Sequence, residues 1–362
     1  MNRKPHIVHL TPALFGEEGV FGGAERYTFE LARHMAVSAR TTLVTFGNEP
    51  RKFTTPEGLR VKVLAPAWKV RGQEFNRIHH GIASAVLSAD IVHCHQPHTL
   101  AAELAAILAR AICRRVFATD LGGGGWGFSG YMRTDSWFDG HLHISAYSER
   151  IAGHVGMKGS KVIYGGVDSR LFSPDHDTPK EPLVVFVGRL LSHKGIDDLV
   201  AALPEGLTLE LIGRSDNQRY QTSLHQLAEG KRVIFRYDCD DAEIVRAYRR
   251  AMCVVLPSVY RDMYGHQTAV PELLGQTLLE GMACGTPAIC TDVASMPELV
   301  DQGRTGFVVP PSDRVALRGR LEFLRDNPSE CYKMGQAGRR RVVEKFNWLS
   351  VVSKCLAAYS EG

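Results

Sequence analysis

The sequence has no long apolar run, no CxxC pair and no strong excess of charge of either sign. The longest candidate for a membrane span, residues 100–111, is interrupted by Glu103 and Arg110 and falls short of the roughly 18 apolar residues that a bilayer requires. The opening residues 1–18 combine basic side chains with a short apolar run that His9 interrupts. We interpret them as a first strand rather than a signal peptide.

Eight cysteines are present, and most lie in apolar contexts such as AMCVVLP and PAICTD. This usage is typical of reduced core cysteines and favours a cytoplasmic protein. Lysine and arginine total 43 against 39 aspartate and glutamate, and the net charge of +4 is too small to favour a nucleic-acid partner. Apolar residues make up 44% of the 362 positions and charged residues 23%, which excludes a largely disordered chain and suggests about two globular domains.

Short apolar runs alternate with amphipathic stretches along the chain, which is the pattern of βαβ units in mostly parallel sheets. Strands are predicted at 6–10, 41–45, 60–64, 91–95, 116–119, 142–145 and 161–163, and then at 183–187, 208–212, 233–236, 253–256, 288–291 and 306–308. Helices are predicted at 24–35, 77–87 and 100–112, and then at 195–203, 220–230, 242–249, 275–283, 313–326 and within 336–362. The turn-rich stretch GGVDSRLFSPDHDTPKEP places a domain boundary near 165–180. The predicted class is α/β, with two parallel-sheet domains that hold ligands at the carboxyl ends of their strands, facing a cleft.

The first candidate site is FGGAER, which contains Gly22 and Gly23 and lies between the first strand and a helix. Glycines let backbone N–H groups approach a ligand closely, and a helix N-terminus favours phosphate. An ordinary glycine turn before a helix explains the same residues, and both interpretations stay open.

The second candidate is VGRLLSHKG, which directly follows the first strand of the second half. It contains Arg189 and Lys194, two cations that suit a diphosphate, because a guanidinium grips oxygens as a fork and an ammonium acts as a point charge. The alternative is a pair of solvated surface cations. The strand-end position and the neighbouring Gly188 and Gly195 favour the binding site.

The third candidate is ELLGQTLLEGMACGTPAICTDVASMPELV, in which Glu272 and Glu280 lie eight residues apart. This spacing alone carries little weight, since about one such pair is expected by chance in a chain of this length. The context adds to it, because Gly275, Gln276 and Thr277 begin a helix whose N–H groups suit a phosphate. Glu280 is placed to accept hydroxyl hydrogen bonds such as those of a ribose, and Glu272 is placed to reach a neighbouring sugar. A helix cap followed by an exposed glutamate is the alternative, which the small apolar neighbours disfavour.

The segment DIVHCHQPHT offers a possible metal site, because His93 and His95 alternate on a strand and His98 follows. The same spacing suits a polar strand end that faces a cleft, and we favour that interpretation.

The segment TDLGGGGWGFSG formally satisfies the dinucleotide fingerprint through Gly122, Gly124 and Gly127. The residues that follow are poor helix formers, and Asp135 and Asp139 come before the next predicted strand rather than at its end, as the fingerprint requires. We interpret the segment as a flexible glycine loop, with Asp120 at the strand end as a polar contact.

The order of these motifs resembles the retaining glycosyltransferases of family four, which have the GT-B fold. The resemblance spans nearly the whole chain and is most specific over 272–306. It rests on GGAER, DIVHCH, YGGVD, VGRLLSHKG, the Glu272 motif, GRTGFVV and the final FNW segment. It implies an acceptor-binding domain over 1–165, a nucleotide-sugar-binding domain over 166–340, and a helix over 341–362 that crosses back to the first domain.

The resemblance implies a UDP- or GDP-linked sugar as donor, bound mainly by the second domain. Arg189 and Lys194 would hold the diphosphate, Glu280 the ribose and Glu272 the transferred sugar. Amides at 275–277 would contact phosphate or sugar, and Gly22 and Gly23 would close over the donor. Many members carry a histidine after the strand equivalent to 116–119; this chain has Asp120 there, which we take as the substitute. The stretch YRDMYGHQTAVP over 260–271 is longer than in typical members.

The resemblance also implies transfer with retention of anomeric configuration. No carboxylate pair for double displacement is evident, so we expect same-face substitution without a metal or another cofactor. The alternatives are a GT-B nucleotide-sugar 2-epimerase, a phosphorylase, a nicotinamide dehydrogenase that uses the Gly122 loop, and a non-catalytic sensor of sugar nucleotides. The acceptor is left open among small molecules, glycans and lipid-linked sugars. The basic stretch at 338–341 suits a weak peripheral membrane contact or, more simply, a solvated helix face.

Overall fold

The computed structural model describes residues 4–14, 23–215 and 217–361. The chain divides into two compact units, one made of Met1–Gly166 and Trp348–Gly362, the other of Val167–Asn347. Within the described residues, none of the helices is both long and apolar enough to span a bilayer.

Unit 1 is built on an eight-stranded sheet with the order β10-β9-β8-β7-β1-β2-β4-β3. Its elements are β1 (His6–Leu14), α1 (Gly23–Ser38), β2 (Arg40–Phe46), β3 (Arg51–Thr54), β4 (Arg60–Leu64), β5 (Trp68–Lys69), β6 (Arg77–Ile78), α2 (Gly81–Ser88), β7 (Ile91–His95), α3 (Leu100–Ala111), β8 (Arg115–Thr119), β9 (Gly140–His143), α4 (Ala146–Ile151) and β10 (Ser160–Val162). All pairs in this sheet are parallel except β3 with β4, and β5 and β6 form a separate antiparallel pair.

Unit 2 is built on a six-stranded, fully parallel sheet with the order β13-β12-β11-β14-β15-β16. Its elements are β11 (Leu183–Val187), α5 (Ile196–Ala202), β12 (Thr208–Ile212), α6 (Gln218–Leu227), β13 (Val233–Arg236), α7 (Asp241–Arg250), β14 (Cys253–Leu256), α8 (Gln276–Ala283), β15 (Ala288–Thr291), α9 (Met296–Leu299), β16 (Gly306–Val309), α10 (Arg314–Asp326) and α11 (Pro328–Lys345). The last helix, α12 (Trp348–Ser360), belongs to unit 1.

The central strands are continuous apolar runs because helices cover both faces of a parallel sheet. All five residues of β11 are buried, and so are all four of β14 and of β15. In unit 1, α3 presents small alanines to the sheet, which lets the helix backbone approach closely. Side-chain caps fix where several helices begin, as where Asp240 and Glu243 form a capping box at α7.

Two predicted helices differ from the structure by more than a shift of their ends. The prediction over 77–87 is wrong at its start, because Arg77–Ile78 forms β6 and α2 begins only at Gly81. The apolar spacing that suggested a helix there is shared between a short strand and a shorter helix.

The predicted helix over 341–362 is also wrong in its bounds. Residues up to Lys345 continue α11, and α12 begins at Trp348. The break lies at Phe346, whose backbone is non-helical and whose carbonyl accepts the N–H of Val167 at 2.8 Å.

The predicted strand over 142–145 is shifted, since β9 covers Gly140–His143. Ser145 instead caps α4, accepting the N–H of Ser148 at 3.0 Å. A serine next to apolar residues is ambiguous in the sequence, because capping depends on the helix that follows.

Candidate active site

The loop after β11 carries Lys194 at the carboxyl end of the unit 2 sheet. Lys194 ends a single 3₁₀ turn, Ser192–Lys194, and the next residue, Gly195, has a left-handed backbone with φ of 64°. A Cβ built on Gly195 would lie 2.1 Å from the carbonyl oxygen of Pro257. No side chain fits there without moving the backbone, so the glycine lets this loop pack against the segment after β14.

Lys194 forms an ion pair with Glu272, and the two side chains are only 16% and 10% exposed. Ser258 Oγ donates to Glu272 Oε1 at 3.1 Å, and Ser295 Oγ donates to the Glu272 carbonyl at 3.4 Å. The structure thus brings together two residues from separate sequence motifs, and polar groups surround the carboxylate. Removing either partner would leave a largely buried charge without its counter-ion, so each side chain depends on the other.

Arg189 lies exposed five residues before Lys194. The preceding Gly188 has φ of 151°, and its carbonyl oxygen lies 2.0 Å from where a Cβ of Gly213 would be, so the two strand ends meet at glycines. The guanidinium is therefore at the sheet edge but is accessible to solvent, unlike the Lys194 ammonium.

Gly275 sets the start of α8. It has φ of 84°, in the left-handed region, and no side chain caps the helix there. The side chains of Gln276 and Thr277 in the first turn are half-buried. The partial positive charge of a helix N-terminus therefore lies in the same short segment as Glu272.

Glu280 is buried in the middle of α8, with 5% of its surface exposed. Tyr248 OH donates to Glu280 Oε2 at 3.3 Å. The next residue, Gly281, packs tightly, because a Cβ there would lie 2.5 Å from Val254. Close packing of α8 on β14 thus fixes the position of Glu280.

Sequence reasoning missed Asp262, which joins the long stretch before Glu272 to the Lys194 loop. Ser192 Oγ donates to Asp262 Oδ2 at 2.5 Å, and the N–H groups of Tyr264 and His266 donate to Oδ1, each at 2.9 Å. Burial alone would raise the pKa of Asp262, but these hydrogen bonds hold it below its usual value. Sequence reasoning also missed Ser258, although its place directly after β14 at a strand end was a usable signal.

In unit 1, Gly22 lies outside the described residues, and Gly23 is the exposed first residue of α1. A Cβ on Gly23 would have nothing within 4 Å among the described residues, so packing there does not require glycine. Asp120 follows β8 and accepts the N–H of Gly122 at 2.9 Å. This bond turns the chain into the glycine loop and leaves the carboxylate half-buried.

The glycine loop after Asp120 opens no α-helix and is followed by the 3₁₀ turns Phe128–Gly130 and Asp135–Trp137. Its glycines have a packing reason, since a Cβ on Gly127 would lie 2.3 Å from Glu103 Oε2. The buried Glu103 carboxylate accepts the N–H groups of Phe128 and Ser129 at 2.6 and 2.7 Å. A dinucleotide-binding turn does not have this arrangement.

The interpretation of His93 and His95 as a polar strand end facing a cleft is wrong. Both side chains are fully buried and stack with ring centroids 4.4 Å apart, and His9 of β1 joins them. His9 Nδ1 lies 3.0 Å from His95 Nε2, whereas His98 is exposed. The two strands are in register at His9 and His93, so strand pairing across the sheet, which the sequence does not show, forms this cluster.

Two family models match the chain. The Glycosyltransferase Family 4 model matches residues 21–171, and the Glycosyl transferases group 1 model matches residues 169–341. The chain is 28% identical over 324 residues to alpha-maltose-1-phosphate synthase of Mycolicibacterium smegmatis, a match that covers 75% of this chain and 79% of that protein. It is 27% identical over 215 residues to glycogen synthase of Mycobacterium tuberculosis, covering 56% of this chain and about half, 49%, of that protein.

Solved structures match over nearly the full length. Sucrose-phosphate synthase from Thermosynechococcus elongatus has a TM-score of 0.75 at 22% identity, over 98% of each chain. Anabaena HepE, solved with UDP and glucose, has a TM-score of 0.72 at 18% identity, over 99% of this chain and 100% of that one. At these identities the likeness shows the fold, which is GT-B. The two family matches together run from residue 21 to residue 341, and the chain belongs to the family-4 glycosyltransferases, which are enzymes.

Proposed function

We propose that this protein is a retaining glycosyltransferase that moves a sugar from a UDP- or GDP-linked donor to an acceptor hydroxyl, without a metal at the reacting diphosphate. The observation that carries the proposal is the Lys194–Glu272 ion pair next to the uncapped start of α8. It places a cation, a hydrogen-bond acceptor and a helix N-terminus in one small region at the carboxyl end of a parallel sheet. A sugar diphosphate needs these groups, and open parallel sheets hold ligands at that edge.

The cations act on the leaving group. When the bond between the anomeric carbon and the diphosphate oxygen breaks, negative charge grows on that oxygen. Lys194, Arg189 and the N-terminus of α8 stabilise the diphosphate in this state. In other transferases a divalent cation stabilises this charge. Here the fixed positive groups take that role, so this step needs no metal.

Glu272 orients the transferred sugar by accepting hydrogen bonds from its hydroxyl groups. Lys194 and Ser258 both donate to Oε1, so the carboxylate is oriented before the sugar binds. Glu280 takes the corresponding role for the ribose, with Tyr248 holding one of its oxygens. A pre-oriented acceptor loses less entropy on binding than a mobile one.

The stereochemistry follows from same-face attack. The acceptor oxygen bonds to the anomeric carbon on the face that the diphosphate leaves, and the hydroxyl proton passes to the departing phosphate oxygen. The transition state has oxocarbenium character and needs no protein nucleophile. In unit 1, Asp120 is proposed to contact the sugar in place of the usual histidine.

The eight cysteines, none in a disulfide and six of them buried, support a reducing, cytoplasmic setting.

A thermal-shift panel tests the donor site. UDP, GDP, ADP, dTDP and NAD are each added with and without EDTA, and the nucleotide-dependent increase in Tm is measured at each EDTA level. A ligand at a hundredfold excess over its Kd stabilises the folded chain by about 2.7 kcal/mol. We expect an increase with UDP or GDP that EDTA does not reduce; HepE, which was solved with UDP, supports UDP as the first choice.

Product analysis then tests the reaction. Proton NMR of the anomeric signal should show the donor configuration in the product, together with stoichiometric free nucleoside diphosphate. An inverted product would contradict the same-face mechanism. A 2-epimerase would change the sugar at C2 without net release of nucleoside diphosphate. In the thermal-shift panel, a Tm increase with NAD alone would favour a dehydrogenase.

A further inference from the structure

Three histidines and one aspartate of unit 1, none of which has a role in the proposed transfer reaction, surround a small cavity. Asp135 lies in the 3₁₀ turn Asp135–Trp137, His141 and His143 share one face of β9, and His154 follows α4. The histidines are each 4–5% exposed, and the Asp135 side chain is 25% exposed. We call these four residues the His–Asp cluster.

The hydrogen bonds of His141 fix its tautomer. His141 Nε2 lies 3.0 Å from the backbone carbonyl oxygen of Asp135. A carbonyl only accepts, so the proton is on Nε2 and the lone pair of the neutral ring is on Nδ1. Metal-binding histidines have this arrangement, with one nitrogen donating to a carbonyl while the other ligates.

His154 lies between two partners of the cluster. Its Nε2 is 3.2 Å from Asp135 Oδ1, and its Nδ1 is 3.2 Å from His143 Nε2. One ligand atom each from Asp135, His141 and His154 fall within 4.8 Å of one another. Ligands about 2.0–2.1 Å from a tetrahedral zinc ion are about 3.3 Å apart, so small side-chain rotations complete the site.

The cavity has room for about one water molecule beside the ligand atoms. Its volume is about 20 Å³, and Asp120 and His98 line it together with the His–Asp cluster. A water molecule needs roughly 10–15 Å³ of such space and two or more polar partners, both of which this cavity offers. The buried cluster of His9, His93 and His95 differs, because both nitrogens of His93 bond to residues outside that cluster, Tyr359 and Thr119, whereas the partners of His154 belong to the His–Asp cluster itself.

We propose that Asp135 Oδ1, His141 Nδ1 and His154 Nε2 bind a divalent transition-metal ion, with zinc as the best match. Two imidazoles and one carboxylate suit zinc, whereas magnesium prefers oxygen ligands throughout. The fourth position opens into the cavity, toward the wall that includes Asp120. The ion joins the 3₁₀ turn at 135–137, β9 and the segment after α4, so it fixes the end of the loop that begins at Asp120.

His143 does not bind the ion but accepts a hydrogen bond from His154. On metal binding, the His154 proton moves from Nε2 to Nδ1 and is donated to His143 Nε2, while His143 carries its own proton on Nδ1. No net proton is released from the neutral rings. His143 is thus a positioning residue for His154, and its replacement should weaken binding less than loss of a ligand.

Metal titration of the untagged full-length protein tests the proposal. Chelator-treated protein is titrated with Zn²⁺ by calorimetry and with Co²⁺ by visible absorption, with Mg²⁺ as a comparison. We expect one equivalent of Zn²⁺, a four-coordinate Co²⁺ spectrum and no Mg²⁺ binding. The His154→Gln and Asp135→Asn variants should lose at least about a hundredfold in Zn²⁺ affinity, and His143→Gln about tenfold. His80→Gln, at an exposed histidine of the same unit, should bind as the wild type does.

The wild-type protein decides the question if a variant fails to fold. A wild type that takes up no Zn²⁺ and gives no Co²⁺ spectrum would overturn the site, and so would folded Asp135→Asn and His154→Gln variants with wild-type affinity. Circular dichroism confirms folding of each variant. The nucleotide-dependent Tm increase, which reports on unit 2, is measured on the same samples, so failure of the metal site and failure of the proposed donor site are distinguishable.

Discussion

Lys194 and Glu272 form an ion pair across 78 residues of sequence, and Ser258 holds the same carboxylate oxygen. The pair is charge-balanced before any ligand binds. In the proposed function, a donor diphosphate bound at Lys194 adds negative charge beside Glu272, so that the two anions share one ammonium. This arrangement couples the diphosphate to the residue proposed to hold the sugar, and it makes the pair the most informative target for mutation.

Replacing either cation should reduce turnover by orders of magnitude without unfolding the protein. Lys194→Ala and Arg189→Ala are each expected to reduce kcat by two or more orders of magnitude, consistent with the ~10²–10³-fold cost of losing one group that stabilises a developing anion. Initial rates of nucleoside diphosphate release measure the effect. Lys161→Ala removes an ion pair with Glu361 in unit 1 and serves as the control. Near-normal transfer by either variant would remove that residue from the mechanism.

A double-mutant cycle separates the contribution of the Lys194–Glu272 pair to the free energy of unfolding from its role in catalysis. Lys194→Ala alone leaves a largely buried carboxylate without its cation, which for buried pairs costs about 3–5 kcal/mol, and the contact of Glu272 with Ser258 places this site at the low end. Glu272→Ala leaves the Lys194 ammonium without its carboxylate partner. The double variant should regain part of the lost free energy of unfolding, measured by urea titration, while transfer stays absent. Strictly additive losses in stability would show that the two side chains do not interact in solution.

Gly195 should be irreplaceable for steric reasons. Gly195→Ala puts a Cβ 2.1 Å from the Pro257 carbonyl oxygen, so the Lys194 loop must move. Gly206 has a similar left-handed backbone, with φ of 83°, but nothing within 4 Å of its Cβ position among the described residues. Gly206→Ala should cost only the conformational penalty of about 1–2 kcal/mol. Gly195→Ala should cost clearly more in thermal unfolding and reduce kcat, and equal effects for the two variants would contradict the close approach.

The sequence predicts the strands of unit 2 closely because each is a short apolar run bounded by turn residues. The strand predictions over 183–187, 208–212, 233–236, 253–256 and 288–291 agree with the structure residue for residue. The sequence does not predict β3 or the β5–β6 pair, because β3 and β5 are mostly exposed and lack an apolar pattern, and β5 and β6 have only two residues each. Short antiparallel edges depend on pairing rather than on local composition.

In the candidate site, too, the sequence predicts some features and not others. Lys194, Glu272, Gly275 and Glu280 are recognisable because each lies in a motif at a strand end or helix start. The ion pair itself, and the links from Ser258 and Asp262, depend on distances between segments, which no local pattern contains. The His–Asp cluster is equally hidden, since its members are spread over residues 135–154 and meet only through the folding of β9 and α4.

The buried histidines of unit 1 should make stability depend on pH in the mildly acidic range. Burial lowers the pKa of His9 to about 3, and burial, with neighbouring histidines second, lowers the pKa values of His93 and His95 well below the usual value. Because each folded-state pKa lies below the unfolded value of about 6.5, the unfolded chain binds more protons between these limits. The stabilisation is complete above pH ~6.5 and is lost as the pH falls toward the folded-state pKa values.

Urea unfolding at about pH 7, 6 and 5 measures this slope, which should reach up to about 1.4 kcal/mol per pH unit for each histidine. His9→Gln should reduce the slope by the share of one histidine, while His80→Gln, at an exposed position, serves as the control. A slope that His9→Gln leaves unchanged would mean that His9 is not held neutral by burial.

Glu103 should control the glycine loop of unit 1. Its two carboxylate oxygens accept the N–H groups of Phe128 and Ser129, and the residue is fully buried. Glu103→Gln keeps the shape but replaces one acceptor with an NH₂ group that faces a backbone N–H. Leaving a buried donor unsatisfied costs about 1–3 kcal/mol, so the Tm should fall by several degrees.

The kinetic effect of Glu103→Gln should be confined to the acceptor. The loop belongs to unit 1, whereas the groups proposed to bind the nucleotide belong to unit 2, so the KM for the acceptor should rise while the nucleotide-dependent Tm increase stays at the wild-type value. Glu330→Gln, on an exposed face of α11, is the matched control and should change neither quantity. If Glu103→Gln instead weakens nucleotide binding and leaves the acceptor KM unchanged, the glycine loop acts on the donor, and the proposed division of roles between the two units is wrong.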